Sequence, residues 1–369
     1  WQLLNDGPYY IPELSHLTTC TLMSHSHYRT SLTFVETELA VLQDLGYVFD
    51  RKKYYGYSLY RDNVVMTNRN GYSERNAAGT AYESNVYSTV PLGVGFHVYG
   101  SYNTVTQAAD ILTRGSGSVG IRVEGTDNSL TLAAENAVHA DGYRGRGVLI
   151  SYGRNHVLNQ YGTITAQGAG GNGVQFDFGC NAYGLNDYRG SYLRYARTVN
   201  HITGKLASAT NLSFDYHDGN FLLATPELDG PLVSAYNLQG SVAGNDHAIY
   251  IAKNAFVKDI NILPGAVISG AITSDWKKFT AEDGYAGVIG DGSDALQIRY
   301  KDKLYAYDKY IPDLVTRLNF RTDITYSGDI TGDDNLKLQV DSGTLDYSGN
   351  ANVASVQVAS GAVLAGGTY

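Results

Sequence analysis

The sequence predicts a mainly β protein, a parallel β-helix preceded by a short helical N-terminal cap. Three observations carry this prediction: a glycine-led strand motif at a fixed spacing, a composition rich in strand and bend residues, and one isolated amphipathic helix. The motif begins Gly95-Phe96-His97-Val98, returns as Gly120-Ile121-Arg122-Val123 and Gly147-Val148-Leu149-Ile150, and ends as the shorter Gly173-Val174-Gln175-Phe176. The steps between the leading glycines are 25, 27 and 26 residues. Each copy alternates apolar and polar side chains, the period of a strand. A constant period in the twenties is the mark of a solenoid, and about 25 residues suit one coil of three short strands and three bends. Leucine-rich repeats share the period but need a leucine ladder that is absent here.

Composition points the same way. The 369 residues include 42 Gly and 31 Tyr but 7 Pro, and 17% are charged, against about 25% in an ordinary globular chain. Tyrosine suits a pleated surface and glycine the bends between strands. A hydrophobic fraction of 43% is too high for disorder. No apolar run is long enough for a transmembrane helix, and no basic segment with an apolar core opens the chain as a signal peptide would. The net charge of −9 disfavours nucleic acid and anionic membranes as partners. Two cysteines, Cys20 and Cys180, cannot form a disulfide framework or a four-thiolate zinc site. A single bridge between them stays open. The start at Trp1 and the β-patterned end lead us to expect a fragment of a longer protein.

Within the repeat, Asn103, Asn128 and Asn155 keep steps of 25 and 27. An Asn at a repeated bend either stacks into a side-chain ladder or makes a local turn. The alternating pattern returns at His247–Ala252, Phe256–Ile262, Gly265–Ile272, Leu336–Val340, Val356–Val358 and Gly361–Leu364. Two stretches fit a coil poorly and are expected as excursions. Residues 181–198 mix Tyr183, Tyr188, Tyr192 and Tyr195 with Arg189, Arg194 and Arg197, and residues 274–313 are dense in Lys, Asp and Tyr. Insertions in solenoids gather on a functional face, so the first group is the candidate partner-binding set. The domain division is residues 1–62 as cap and 63–369 as β-helix.

The cap helix is expected over Phe34–Leu45. Thr33 and Glu36 have capping-box spacing, Val35, Leu39, Leu42 and Leu45 make an apolar stripe, and Gly46 stands at the C-terminal stop. Such a helix is expected to seal the open N-terminal end of the solenoid. His16, His25 and His27 precede it; they are either zinc ligands or ordinary surface or packed histidines, and their spacing matches no closed zinc site.

Two resemblances follow from these residues. Glu13-Leu14-Ser15-His16, then Leu22-Met23-Ser24-His25, then Thr37 to Tyr47, resemble the tail of a zinc metalloprotease domain. That match implies His16 at a third-ligand position and Met23 at a Met-turn. The His-Glu-x-x-His helix that supplies two ligands and the base is missing from the chain, so no protease activity and no metal or other cofactor is expected. Asp44–Arg51, Tyr54–Tyr60 and Leu92–Gly100, with Tyr310–Phe320 and the Gly/Ala/Val run around Gly361, resemble bacterial autotransporter passengers. This implies a right-handed β-helix, anchorage at the cell surface through a C-terminal outer-membrane barrel outside these residues, and a non-catalytic role in adhesion, self-association or biofilm. The implied partners are another copy on a neighbouring cell, or a host surface protein or glycan, without membrane insertion of these residues. Two alternatives remain open. One is a polysaccharide-active β-helix enzyme, for which the tight acidic groups are Asp333-Asp334 and Asp291/Asp294, both turn-like. The other is a metal-binding protease remnant.

Overall fold

A computed structural model describes residues 35–179, 190–192, 226–276 and 314–368. Isolated strands at 2–6, 9–13, 195–197, 212–214, 222–224, 296–300 and 303–307 are described by their backbone alone. The fold is mainly β, a parallel β-helix. Each coil contributes one strand to each of three faces. On the first face Tyr55–Leu59, Val94–Val98, Val119–Val123, Arg146–Ile150 and Asn172–Phe176 pair in parallel, continuing into the later half of Ser241–Ile251. On the second, Val65–Asn68, Thr104–Gln107, Ser129–Leu132, His156–Gln160, Val233–Leu238, Asp259–Ile262, Thr316–Arg321 and the later part of Ile330–Ser342 follow one another. The third begins with Ile111–Thr113, Ala137–Ala140 and Thr163–Ala166. Parallel pairing reaches back to Tyr55, inside the stretch assigned to the cap. It passes from Phe176 to Ile251 on the first face and from Gln160 to Leu238 on the second.

The interior is one continuous apolar column from Leu59 to Ala351, with Phe96, Ile121, Val148, Val174, Ile249 and Ile272 rising through it. Dry packing between neighbouring coils supplies the main stabilisation, at about 25 cal/mol per Å² of apolar surface buried. The leading glycines serve this column in a way the sequence reading did not expect. Gly120 is not a bend: it lies inside the strand Val119–Val123, and a Cβ there would run into Val138 Cγ1 and the Gly147 carbonyl. Gly147 meets Ile164 and Gly173 in the same way. Glycine recurs because these strand positions have no room for a side chain.

The asparagine series is a ladder, but not the one the spacing suggested. Asn103 Oδ1 accepts from the Val64 amide and Asn128 Oδ1 from the Asn103 amide, each at 2.8 Å. Asn128 Nδ2 donates to the carbonyls of Gly100 and Glu124. Asn155 does not join. Its φ is +57°, as in Asn63, Tyr102 and Asp127, which each stand one residue before the ladder position. His156 occupies the rung: its Nδ1 accepts from the Asn128 amide at 3.3 Å and its Nε2–H donates to the Tyr152 carbonyl at 2.8 Å. Tyr152 is four residues back, as Glu124 is from Asn128. Burial pushes the His156 pKa below its ordinary value, so the folded state holds the ring neutral. The sign of the pH effect follows. This stability is fully present above the unfolded value of about 6.5 and is lost as pH falls through the lower folded pKa. Urea unfolding from pH 7.5 down to 5 should show His156→Asn with a flatter acid slope than the parent and similar stability at neutral pH. Equal slopes would refute the assignment.

Helix α1 spans Glu36–Asp44. Thr33 and Phe34 lie outside the described residues, and the observed cap is a different pair: the Glu38 carboxylate accepts from the Val35 amide at 2.8 Å. Glu36 instead pairs with Arg51 and Lys52 at 3.4 and 3.3 Å. The helix stops as expected at Gly46, φ +98°. Gly46 and Tyr47 donate back to the Gln43 and Leu42 carbonyls, a Schellman ending. Its placement differs from the expectation of an end seal. Leu39 does not join the interior column; it belongs to an outer cluster with Tyr55, Val94, Val119 and Leu149, one from each of the first four strands of the first face. The helix docks on the flank of the solenoid.

Beside that cluster lies a charged group with no apparent access to solvent. His97 and Glu124 are 0% and 1% exposed. Glu124 Oε2 is 2.8 Å from His97 Nε2, and its Oε1 accepts from Arg122 Nη2 at 2.6 Å. Arg122 Nε reaches Ser151 Oγ at 3.2 Å, and the rings of Tyr55, Tyr60 and Tyr99 surround His97.

Candidate binding face

The second face carries an outward column of amides. Side chains flanking each amide, such as Tyr236 and Leu238 or Leu318 and Phe320, point into the core, so the residue between them points out. Register stacks Asn159, Asn237, Asn261, Asn319, Gln339 and Gln357. Asn237 donates to Asn159, Asn261 to Asn237 and Asn319 to Asn261, at 2.8, 2.8 and 2.9 Å. The direction then reverses, because Gln339 donates to Gln357 at 2.9 Å. The reversal leaves Asn319 Oδ1 without a hydrogen-bond partner, although Asn319 is only 2% exposed.

Charged columns flank the amides. Asp259 grips Arg317 through two bonds of 2.6 and 2.7 Å, and Arg321 meets Asp341 at 2.9 Å. The bond to Asp259 raises the Arg317 pKa further. These groups border a polar hollow of about 300 Å³ over Asn261, Asn319 and Gln339. Arg317 also borders a second hollow of about 500 Å³, closed by Tyr192, Phe256 and Leu314 and carrying Lys258 and Lys337. The Tyr192 and Phe256 rings lie 5.9 Å apart. Burial pushes the Tyr192 phenol up, so it stays neutral. The Ser191 hydroxyl fixes this corner by accepting from the amides of Leu232 and Phe256 at 3.0 and 2.9 Å.

Of the residues expected to bind a partner, Tyr192 alone has a described side chain, and it lines the larger hollow. Tyr195 and Arg197 lie on a strand paired antiparallel with Leu222–Ala224. Tyr183, Tyr188, Arg189 and Arg194 lie outside the described residues, as do His16, His25, His27, Met23, both cysteines and Asp291/Asp294. Asp333 and Asp334 are exposed and lie not in a turn but inside the strand Ile330–Ser342, where Asp333, at φ +44°, stands at a register shift. Among the described residues no cluster of His, Cys, Asp and Glu could hold a metal ion, and no helix is long and apolar enough to cross a membrane. The sequence reading missed the amide column. Its signal was present in the apolar–amide–apolar triplets Ile260-Asn261-Ile262, Leu318-Asn319-Phe320 and Leu338-Gln339-Val340.

Comparison with protein-family models, with curated proteins and with solved structures finds no match.

Proposed function

We propose that this chain is a non-catalytic binding passenger of the autotransporter type, displayed at a bacterial surface and acting in self-association or attachment to host surfaces through its second face. The observation that supports this reading is the register-stacked column of amides between paired charges. Strand spacing fixes the rungs at about 4.8 Å, so polar groups repeat along a rigid line without needing to be ordered on binding. Backbone rigidity of this kind suits recognition of an extended partner. The test is cell display of the passenger with Arg317→Glu and Arg321→Glu together. Surface ion pairs of this kind contribute about 0–1 kcal/mol, so the double variant should fold. Loss of cell aggregation or host-cell attachment by tenfold or more is the expected result. Unchanged aggregation and attachment would overturn the reading. Release of reducing sugar from a glycan panel would replace it with the enzymatic alternative.

A further inference from the structure

We infer that the hollow between Tyr192 and Lys337 binds a carboxylated polysaccharide, one acidic sugar seated against Tyr192 and the chain continuing along the amide column. This rests on the binding-passenger reading and names the ligand class for its face. The chain as a whole carries a net charge of −9, yet the described residues lining this hollow include Lys258, Arg317 and Lys337 and no carboxylate. Arg317 is held by Asp259, while Lys258 and Lys337 form no ion pair among the described residues. Arg317 and Lys337 occupy neighbouring rungs in register. Like charges opposed across adjacent strands destabilise a sheet, and an anion between them and Lys258 would relieve that repulsion.

The rest of the hollow suits a sugar ring. Tyr192 offers an aromatic face, and its backbone is held at φ +64°, a conformation a bulky residue adopts only under constraint. The Ser191 bonds to Leu232 and Phe256 supply that constraint. Asn155 and Ser234 border the hollow with polar groups for ring hydroxyls. It shares Arg317 with the smaller hollow. There the buried Asn319 Oδ1, left unpartnered where the amide column reverses, is an acceptor in want of a donor. A hydroxyl of the next sugar supplies one once Gln339 swings aside. The rung spacing is close to the length of one sugar in an extended chain. Carboxylate chemistry is favoured over phosphate because a nucleic acid brings a dense charge that a net-negative protein repels.

The experiment uses the purified chain with hexamers of galacturonate, alginate and hyaluronan, the same hexamers with carboxyl groups reduced to alcohols, and single-stranded DNA as the polyphosphate control. At least one acidic hexamer should bind. Its affinity should fall tenfold or more on carboxyl reduction, in Lys258→Gln/Lys337→Gln, and in Tyr192→Ala, with far-UV circular dichroism unchanged. Asn319→Leu should weaken binding with no effect on the carboxylate preference. Failure of every acidic hexamer, equal binding of the reduced hexamers, no response to the lysine double variant, or tighter binding of DNA would each overturn the inference. The arginine double variant displayed on cells separates the two claims. If acidic hexamers fail while Arg317→Glu/Arg321→Glu still abolishes attachment, the binding-passenger reading stands and the ligand class falls.

Discussion

Glu124→Ala is expected to destabilise the first coils by about 3–5 kcal/mol, because it strands two buried groups at once. Arg122 and His97 both face the Glu124 carboxylate, at 2.6 and 2.8 Å, and all three side chains are at most 2% exposed. Removing the acid takes from the buried guanidinium and from the His97 ring the carboxylate they share. The comparison that isolates this cause is Arg122→Met with Glu124→Leu. Removing both charges together should cost less than Glu124→Ala alone, since the buried cation goes with the carboxylate that faces it. Amide hydrogen exchange over residues 94–150 reads the local stability of these coils directly. A loss below 1 kcal/mol for Glu124→Ala, or a double variant worse than the single, would refute the account.

Asn128→Ala is expected to cost about 2–4 kcal/mol. Its side chain accepts from the Asn103 amide and donates to the Gly100 and Glu124 carbonyls. A net hydrogen bond contributes about 1 kcal/mol, and each buried group left unpaired adds a penalty of about 1–3 kcal/mol. Asn155→Ala is the informative contrast. Asn155 makes one partly buried side-chain bond, to Asp127 at 3.2 Å, so its loss should stay near 1 kcal/mol, chiefly for alanine at φ +57°. Chemical denaturation of both variants under one condition settles the order. Asn155 as the costlier site would return the ladder to the spacing read from sequence.

Where the sequence was legible, local chemistry and period coincided. The glycines at 95, 120, 147 and 173 and the alternation after them specify strands that stack every coil. The C-terminal stop of the cap helix was equally plain, because Gly46 meets a local need. The ladder was misaligned for a definite reason: the third coil holds an extra residue between Gly147 and its rung, so Asn155 falls in the turn and His156 performs the asparagine's role. Nor could the stripe Val35, Leu39, Leu42 and Leu45 say which surface it covers. The described flank cluster takes Leu39 and leaves Leu45 exposed.

The candidate face was harder to read. Tyr192 stood out because tyrosine and arginine crowd its neighbourhood. Lys258, Arg317 and Lys337 are far apart in sequence, and register across the coils alone brings them to one hollow. The amide column was hidden similarly: between Asn159 and Asn237, and again between Asn261 and Asn319, long stretches interrupt the period. A column visible only once those stretches are set aside cannot be found by counting residues.

The passage from Phe178 to Leu228 has a consequence for engineering. Both residues are fully buried, and Tyr152 clasps the base of the passage by donating to Glu227 at 2.8 Å. Ladder partners across it are 78 residues apart, as in Asn159 and Asn237, where Asn237 and Asn261 are 24 apart and Asn103 and Asn128 are 25 apart. Closing the longer loop costs only about 1 kcal/mol more in chain entropy. The coil thus has a built-in cloning port: a foreign domain spliced between Tyr192 and Glu227, with Ser191, Tyr192 and the clasp retained, would ride on the scaffold beside the hollow without altering a single rung.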